Sequence, residues 1–292
     1  MRALLIAILL LLATPAAAKV NVFACEPEWA ALAQEIGGPD IEVFTATTAR
    51  QDPHHIDARP ALVARMRSAQ FLICTGADLE IAWLPTLLRQ SGNGGVPRLM
   101  VADHFQLLDR PATLDRAQGD IHAAGNPHLH LDPRVLRTAA ALLADRLALL
   151  DKPRAAQYRA RLASFQQRLD QALVRWEQRS TPLIGTRVIT HHKSFTYLFG
   201  WLGIADVANL EPKPGIPPGA AHLVQLIANA PQLSARMVIH AAYQDGRAAE
   251  FVAGRTGLPV VNLPYTVGGS DRATDLFGLF DDTIDRLLAA RL

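Results

Sequence analysis

Residues 154–179 read RAAQYRARLASFQQRLDQALVRWEQR, a run that predicts one helix of about seven turns. No heptad persists through it, so it reads as a spine and not as a coiled-coil strand. Just before it, RVLRTAAALLADRLALL (134–150) is a second amphipathic helix, broken by Asp151-Lys152-Pro153. What flanks these helices settles the fold class. On the N-terminal side, KVNVFAC (19–25), IEVFTAT (41–47), QFLICTG (70–76) and VPRLMVAD (96–103) have strand character. They alternate with helical stretches at EPEWAALAQEIGG (26–38) and RPALVARMRSA (59–69). On the C-terminal side the alternation restarts, with strands at RVITH (187–191), IADVANL (204–210), ARMVIHA (235–241) and PVVNLP (259–264). A closing helix, DLFGLFDDTIDRLLAARL (275–292), follows them. Alternating strands and helices imply an α/β fold with mostly parallel sheets. The expected architecture is two lobes, each a parallel sheet with flanking helices, joined by the spine helix around a cleft. The divisions are residues 19–150, 151–179 and 180–292, after a leader at 1–18.

The leader rests on MRALLIAILLLLATPAAAKV (1–20): one arginine, an apolar run, then Ala16-Ala17-Ala18. That is the pattern of a secretory signal peptide, and its apolar part falls short of the ~20 residues of a spanning helix. The expectation is an exported, soluble mature protein beginning near Lys19. Its length favours two domains over one core. The formal net charge is only +2, with basic residues spread along helical faces, so nothing resembles a nucleic-acid footprint. The two cysteines, Cys25 and Cys74, either pair in an oxidising compartment or stay as buried thiols; sequence alone does not choose.

Ten histidines are present, and they are not scattered evenly. QDPHHID (51–57) holds His54 and His55 after the second strand, GDIHAAGNPHLHLDP (119–133) holds His122, His128 and His130, and ITHHKSF (189–195) holds His191 and His192. Ligands of open α/β sheets bind beyond the carboxyl ends of the strands, where these segments fall. Proline stiffens its own residue and the one before it, so Asp-Pro-His and Asn-Pro-His hold a ligand loop in shape. A neighbouring carboxylate orients an imidazole and raises its basicity. Neutral imidazoles suit zinc, and three protein ligands with a fourth position is a common zinc arrangement. His104 and His222 have a surface or helix-start context; His240 closes a strand.

At these residues the chain resembles the metal receptors of ABC importers, the periplasmic zinc- and manganese-binding proteins, over nearly its whole mature length. DPHHID is similar to the family's Asp-Pro-His segment and implies a first ligand at His54. GNPHLHLDP resembles its Asn/Asp-Pro-His-x-x-Leu-Asp-Pro segment and implies His128, with His130 as a neighbour. HHKSFTYLFGWLGI (191–204) resembles a third segment and implies His192, leaving His191 outside. GADLEIAWLPTLL (76–88) and LEPKPGIPPG (210–219) also have counterparts, which makes Glu211 a candidate supporting residue. The family places a carboxylate ligand before the last helix, where this chain reads LPYTVGGSDRATDLF (263–277) and has Tyr265. Asp275 is the expected fourth ligand, with Asp271, His240 or water as alternatives. The long His- and Asp-rich loop of many zinc receptors is reduced here to Asp120 and His122, read as an ordinary loop or as a zinc-catching one.

The resemblance implies a periplasmic, monomeric solute-binding protein that captures Zn2+ in the cleft and delivers it to an ABC permease in the inner membrane. Three imidazoles favour zinc over the manganese or iron branch. A periplasmic zinc chaperone is a related alternative. The rival of another class is an exported zinc hydrolase, but no His-Glu-x-x-His pair and no glutamate beside a ligand supplies a general base. The chain is therefore expected not to be an enzyme. The length of the spine helix implies modest lobe motion.

Overall fold

The computed structural model describes residues 18–111, 119 and 122–291. Residues 1–17 of the expected leader (1–18) and Asp120 of the histidine loop lie outside the described residues. Two four-stranded sheets, parallel throughout, form the body of the molecule. The first has the order β2-β1-β3-β4, from Val20–Ala24 (β1), Ile41–Thr45 (β2), Phe71–Cys74 (β3) and Arg98–Met100 (β4). The second repeats the same permutation, β6-β5-β7-β8, from Arg187–Thr190 (β5), Ala205–Asn209 (β6), Met237–Ala241 (β7) and Val260–Leu263 (β8). Strands covered on both faces read as continuous apolar runs. β3 (FLIC) and β7 (MVIHA) are buried at every position.

Helices Pro27–Gly37 (α1), Pro60–Ser68 (α2) and Leu84–Ser91 (α3) flank the first sheet. Thr196–Leu202 (α6), Ala220–Leu233 (α7) and Arg247–Thr256 (α8) flank the second. Between them run Pro133–Leu150 (α4) and Ala155–Ser180 (α5). The carboxylate of Asp132 accepts from the Arg134 N–H and Pro133 opens α4, so Leu-Asp-Pro is a helix cap joined directly to the His128 loop. The closing helix, Leu276–Arg291 (α9), does not stay with its own sheet alone. Leu276, Phe280 and Ile284 join the core formed by α1, α4 and α5 around Trp29, Leu143 and Trp176. The spine and α9 thus tie both lobes into one packed unit.

Cys25, just after β1, and Cys74, the last residue of the neighbouring β3, form a fully buried disulfide with Cα atoms 4.8 Å apart. Among the described residues no helix is long and apolar enough to cross a membrane.

Candidate metal centre

The carboxyl ends of the two sheets face each other, and the loops leaving them supply the site. His54 follows β2, His192 follows β5, Glu211 follows β6 and Tyr265 follows β8. His128 comes from the loop whose Asp132 caps α4. One nitrogen from each of His54, His128 and His192 lies within 4.8 Å of the others. A tetrahedral zinc with ~2.0–2.1 Å bonds needs nitrogens about 3.3–3.4 Å apart, so small ring movements suffice to close the set. All three are buried.

Each ring is oriented through its Nδ1. His54 Nδ1 lies 2.7 Å from Asp52 Oδ1, His192 Nδ1 lies 2.7 Å from Glu211 Oε2, and His128 Nδ1 lies 2.7 Å from the Tyr265 hydroxyl. An imidazole whose Nδ1 is held in this way presents Nε2 as its free lone pair. The consequence is plainest at His128, whose buried Nε2 has no hydrogen-bond partner. Burial, with His192 and His54 next to it, holds His128 well below the ordinary imidazole pKa, so the ring is neutral. Burial raises the Asp52 carboxyl, but the side-chain and backbone hydrogen bonds from His54, with the charge of His54 and His55, together outweigh it and leave the carboxyl below its usual value. Burial, then Tyr243 and Glu28, pushes the Tyr265 phenol well above its ordinary value, so Tyr265 is a neutral prop.

The loops themselves are fixed locally. Asp52 also accepts from the His54 N–H, and the Trp83 indole donates to the Pro53 carbonyl. The Asn126 carbonyl oxygen accepts from the His128 N–H, while its amide donates to the Lys193 carbonyl at 2.9 Å. Asn126 therefore joins the loops of His128 and His192 across the lobes. The Tyr197 hydroxyl reinforces the joint by donating to the main-chain carbonyl of Asn126.

The chain after β3 follows an unusual path: Gly76, Ala77 and Asp78 all have positive φ, at 81°, 51° and 65°. Glu80 holds this turn by accepting from the Thr75 and Gly76 N–H groups. Burial pushes Glu80 up to about 7, and burial with Glu80 and Glu28 raises Glu26 well above its ordinary value. Two such carboxyls in hydrogen-bond contact share a proton near neutrality.

The remaining candidates sit elsewhere. Asp275, expected as fourth ligand, is exposed and caps α9, accepting from the Gly278 N–H at 2.7 Å. It sits at the helix start because that N–H has no partner inside the helix. Asp271 is exposed in the preceding loop. His240 turns its Nδ1 to the Ala241 carbonyl and packs beside Gly246. His130 lies behind the cluster, between the Tyr265 carbonyl and Glu28. His191 flanks Glu211 at 3.8 Å. A further neighbour is His122, which the sequence placed in an ordinary or zinc-catching loop; its Nε2 lies 3.3 Å from His54 Nε2. Burial, then His54 and His192, pushes its pKa down to about 3. Cavities of about 720 Å³ and 310 Å³ open on the two sides of His192.

Two parallel-sheet lobes on a helical spine, with imidazoles from both lobes gathered in the cleft, define a two-lobed metal receptor. The chain belongs to the family described as zinc-uptake complex component A, periplasmic, whose model matches residues 22–290. Members of that family are solute-binding proteins and not enzymes, which removes the hydrolase alternative. The chain is 26% identical over 191 residues to the high-affinity zinc uptake system protein ZnuA of Yersinia pestis, a match covering 60% of each chain. It thus spans less than two thirds of that relative's length. A crystal structure of ZnuA shares the fold with a TM-score of 0.77 at 23% identity, over 92% of this chain and 99% of that one. The solute-binding protein FpvC of Pseudomonas aeruginosa, in complex with Mn2+, gives 0.79 at 20% identity over 93% and 98%. A Cd-bound periplasmic metal-binding protein of Candidatus Liberibacter asiaticus gives 0.76 at 15% identity over 94% and 100%.

Proposed function

We propose that this protein is a periplasmic receptor that captures Zn2+ through His54, His128 and His192 and hands it to an ABC permease in the inner membrane. The reading rests above all on the buried His128 Nε2, unpartnered and facing two further imidazoles whose Nδ1 atoms are held by carboxylates. A buried acceptor without a partner costs about 1–3 kcal/mol, a cost that a bound cation removes. Three imidazole nitrogens and no carboxylate in the cluster suit zinc better than manganese, a harder ion. The zinc-uptake family supports the same cargo. The protein acts as a monomer, released into the periplasm once its leader is removed.

Native mass spectrometry of the metal-stripped protein, offered Zn2+ and Mn2+ together, tests the proposal beside a His192→Ala variant. One retained zinc that is weakened or lost in the variant is the expected result. No retained metal, or retention indifferent to His192, would overturn it.

A further inference from the structure

Before the last helix, Tyr265 is spent on His128 Nδ1. Asp275 is spent on a helix cap. A fourth donor nevertheless stands at the cluster. We propose that His122 is the fourth ligand, so that the cargo is held by four imidazoles, three from the N-terminal lobe and His192 from the C-terminal one. This rests on the receptor reading above.

Three independent observations carry it. The first is distance: His122 Nε2 and His54 Nε2 are 3.3 Å apart, which is the edge of a tetrahedral zinc–nitrogen site, about 3.3–3.4 Å. Two neutral imidazoles satisfy such a contact with one proton, but His54 Nδ1 already carries its proton toward Asp52. A metal satisfies both lone pairs together. The second is orientation. The His122 ring also hydrogen-bonds the backbone of Ala77, in the left-handed stretch Gly76-Ala77-Asp78 that Glu80 holds in place. Non-glycine residues rarely adopt that conformation, and two in succession are retained where the surroundings fix them. The turn gives His122 the acceptor that Asp52, Tyr265 and Glu211 give the other three rings.

The third is the placement of the loop. Gly125 donates its N–H to the His122 carbonyl and has φ 122°, where a Cβ would meet the Leu108 carbonyl at 2.7 Å. On the other flank, a Cβ on Gly119 would meet the Pro214 carbonyl at 2.0 Å. Close backbone approach on both sides needs glycine at both positions. His122 therefore stands between two glycines that are each packed closely against backbone.

The test uses cobalt as a spectroscopic stand-in for zinc, with wild-type, His122→Ala and His122→Gln proteins. Visible bands of Co2+ report the donor set directly. Loss of His122 replaces an imidazole by water, so both variants should show a shifted spectrum and bind Zn2+ at least about tenfold more weakly, since loss of even an outer partner costs that much. Added imidazole should restore the wild-type spectrum in His122→Ala and leave the wild type unchanged. Metal-free thermal unfolding of both variants checks that they are folded. Unaltered Co2+ spectra and Zn2+ affinity in folded variants would overturn the fourth-ligand proposal while leaving the three-histidine receptor standing. A wild type that binds neither ion would remove both.

Discussion

The outer partners of the histidines make different contributions, and the difference is measurable. Glu211→Gln removes a charge while keeping shape. Glu211 Oε2 accepts from His192 Nδ1 at 2.7 Å and from the Gly215 N–H at 2.9 Å, and its side chain is 12% exposed. A cation on Nε2 makes the Nδ1 proton more acidic, so its bond to a carboxylate strengthens on loading, whereas an amide oxygen cannot take up that charge. Partners of this kind are worth ~10–100-fold in metal affinity, about 1.4–2.7 kcal/mol. Glu211→Gln belongs at the upper end because the carboxylate is shielded from water. Tyr265→Phe should behave otherwise. It strips a neutral oxygen from a buried N–H of His128 in the loaded and empty protein alike, so it costs about 1–3 kcal/mol of stability and less than tenfold in affinity. Competition titration against a fluorescent zinc chelator reads the affinities, and metal-free thermal unfolding reads the stabilities. Zinc affinity within twofold of wild type for Glu211→Gln, or a larger affinity loss for Tyr265→Phe, would refute this reasoning.

Asp275→Ala should leave zinc affinity unchanged and cost about 1 kcal/mol in urea unfolding, the loss of a helix cap; a tenfold loss of zinc would return Asp275 to the site. The disulfide closes a loop across 49 residues, worth about 4 kcal/mol on a chain-entropy account. Reduced protein should therefore unfold at clearly lower urea than oxidised protein, and coincident midpoints would contradict this. Glu80 is raised to about 7 from an ordinary 4.5. A raised acid contributes stability that is full below its unfolded pKa and is lost as pH climbs through the folded one, here between about 4.5 and 7. Glu26→Gln replaces the shared proton by a permanent N–H, so it should flatten the loss of stability seen in wild type between pH 5 and pH 8; parallel profiles would exclude proton sharing. Solution scattering of empty and loaded protein should give the same radius of gyration, about 19 Å for this length, because Asn126 and α9 join the lobes. A contraction of several ångströms would point to a wide hinge.

The alternation of strands and helices and the unbroken run at 154–179 made the two sheets and the spine legible, since period and length are local properties. Strand order was not, and neither was the placement of α9 against α1 and α5, because both depend on which apolar faces meet at a distance. Within the candidate site, the gathering of His54, His128 and His192 was legible because each stands beside proline or at a strand end. The cap role of Asp275 was not legible: its side chain could serve a cap or a cation, and only the fold shows the Gly278 N–H beside it. His122 carried no spacing signal at all. Its place follows from a left-handed turn after β3, some forty-five residues earlier, and from the glycines on each side. The proton sharing of Glu26 and Glu80 likewise comes from strand neighbours β1 and β3.

The charge at this centre argues for how a receptor holds a dication in a buried cleft. Moving an ion out of water costs several kcal/mol after relaxation and must be offset by countercharge and hydrogen bonds. The proposed ligands are neutral, yet Asp52 and Glu211 stand immediately behind His54 and His192, 2.7 Å from their Nδ1 atoms. Two carboxylates balance two positive charges without either touching the ion. This division matters for selectivity. A carboxylate in direct contact would favour a hard ion such as Mn2+, while nitrogen contact favours zinc among the ions a periplasm offers in quantity. Placing the negative charge one imidazole away keeps the neutrality that burial demands and the donor atoms that zinc prefers. It also makes Asp52 and Glu211 the residues through which affinity can be adjusted without altering the choice of metal. Asp52→Asn and Glu211→Gln should therefore lower the affinity for Zn2+ and for Mn2+ in similar proportion, and a change in their ratio would show that one of these carboxylates contacts the ion.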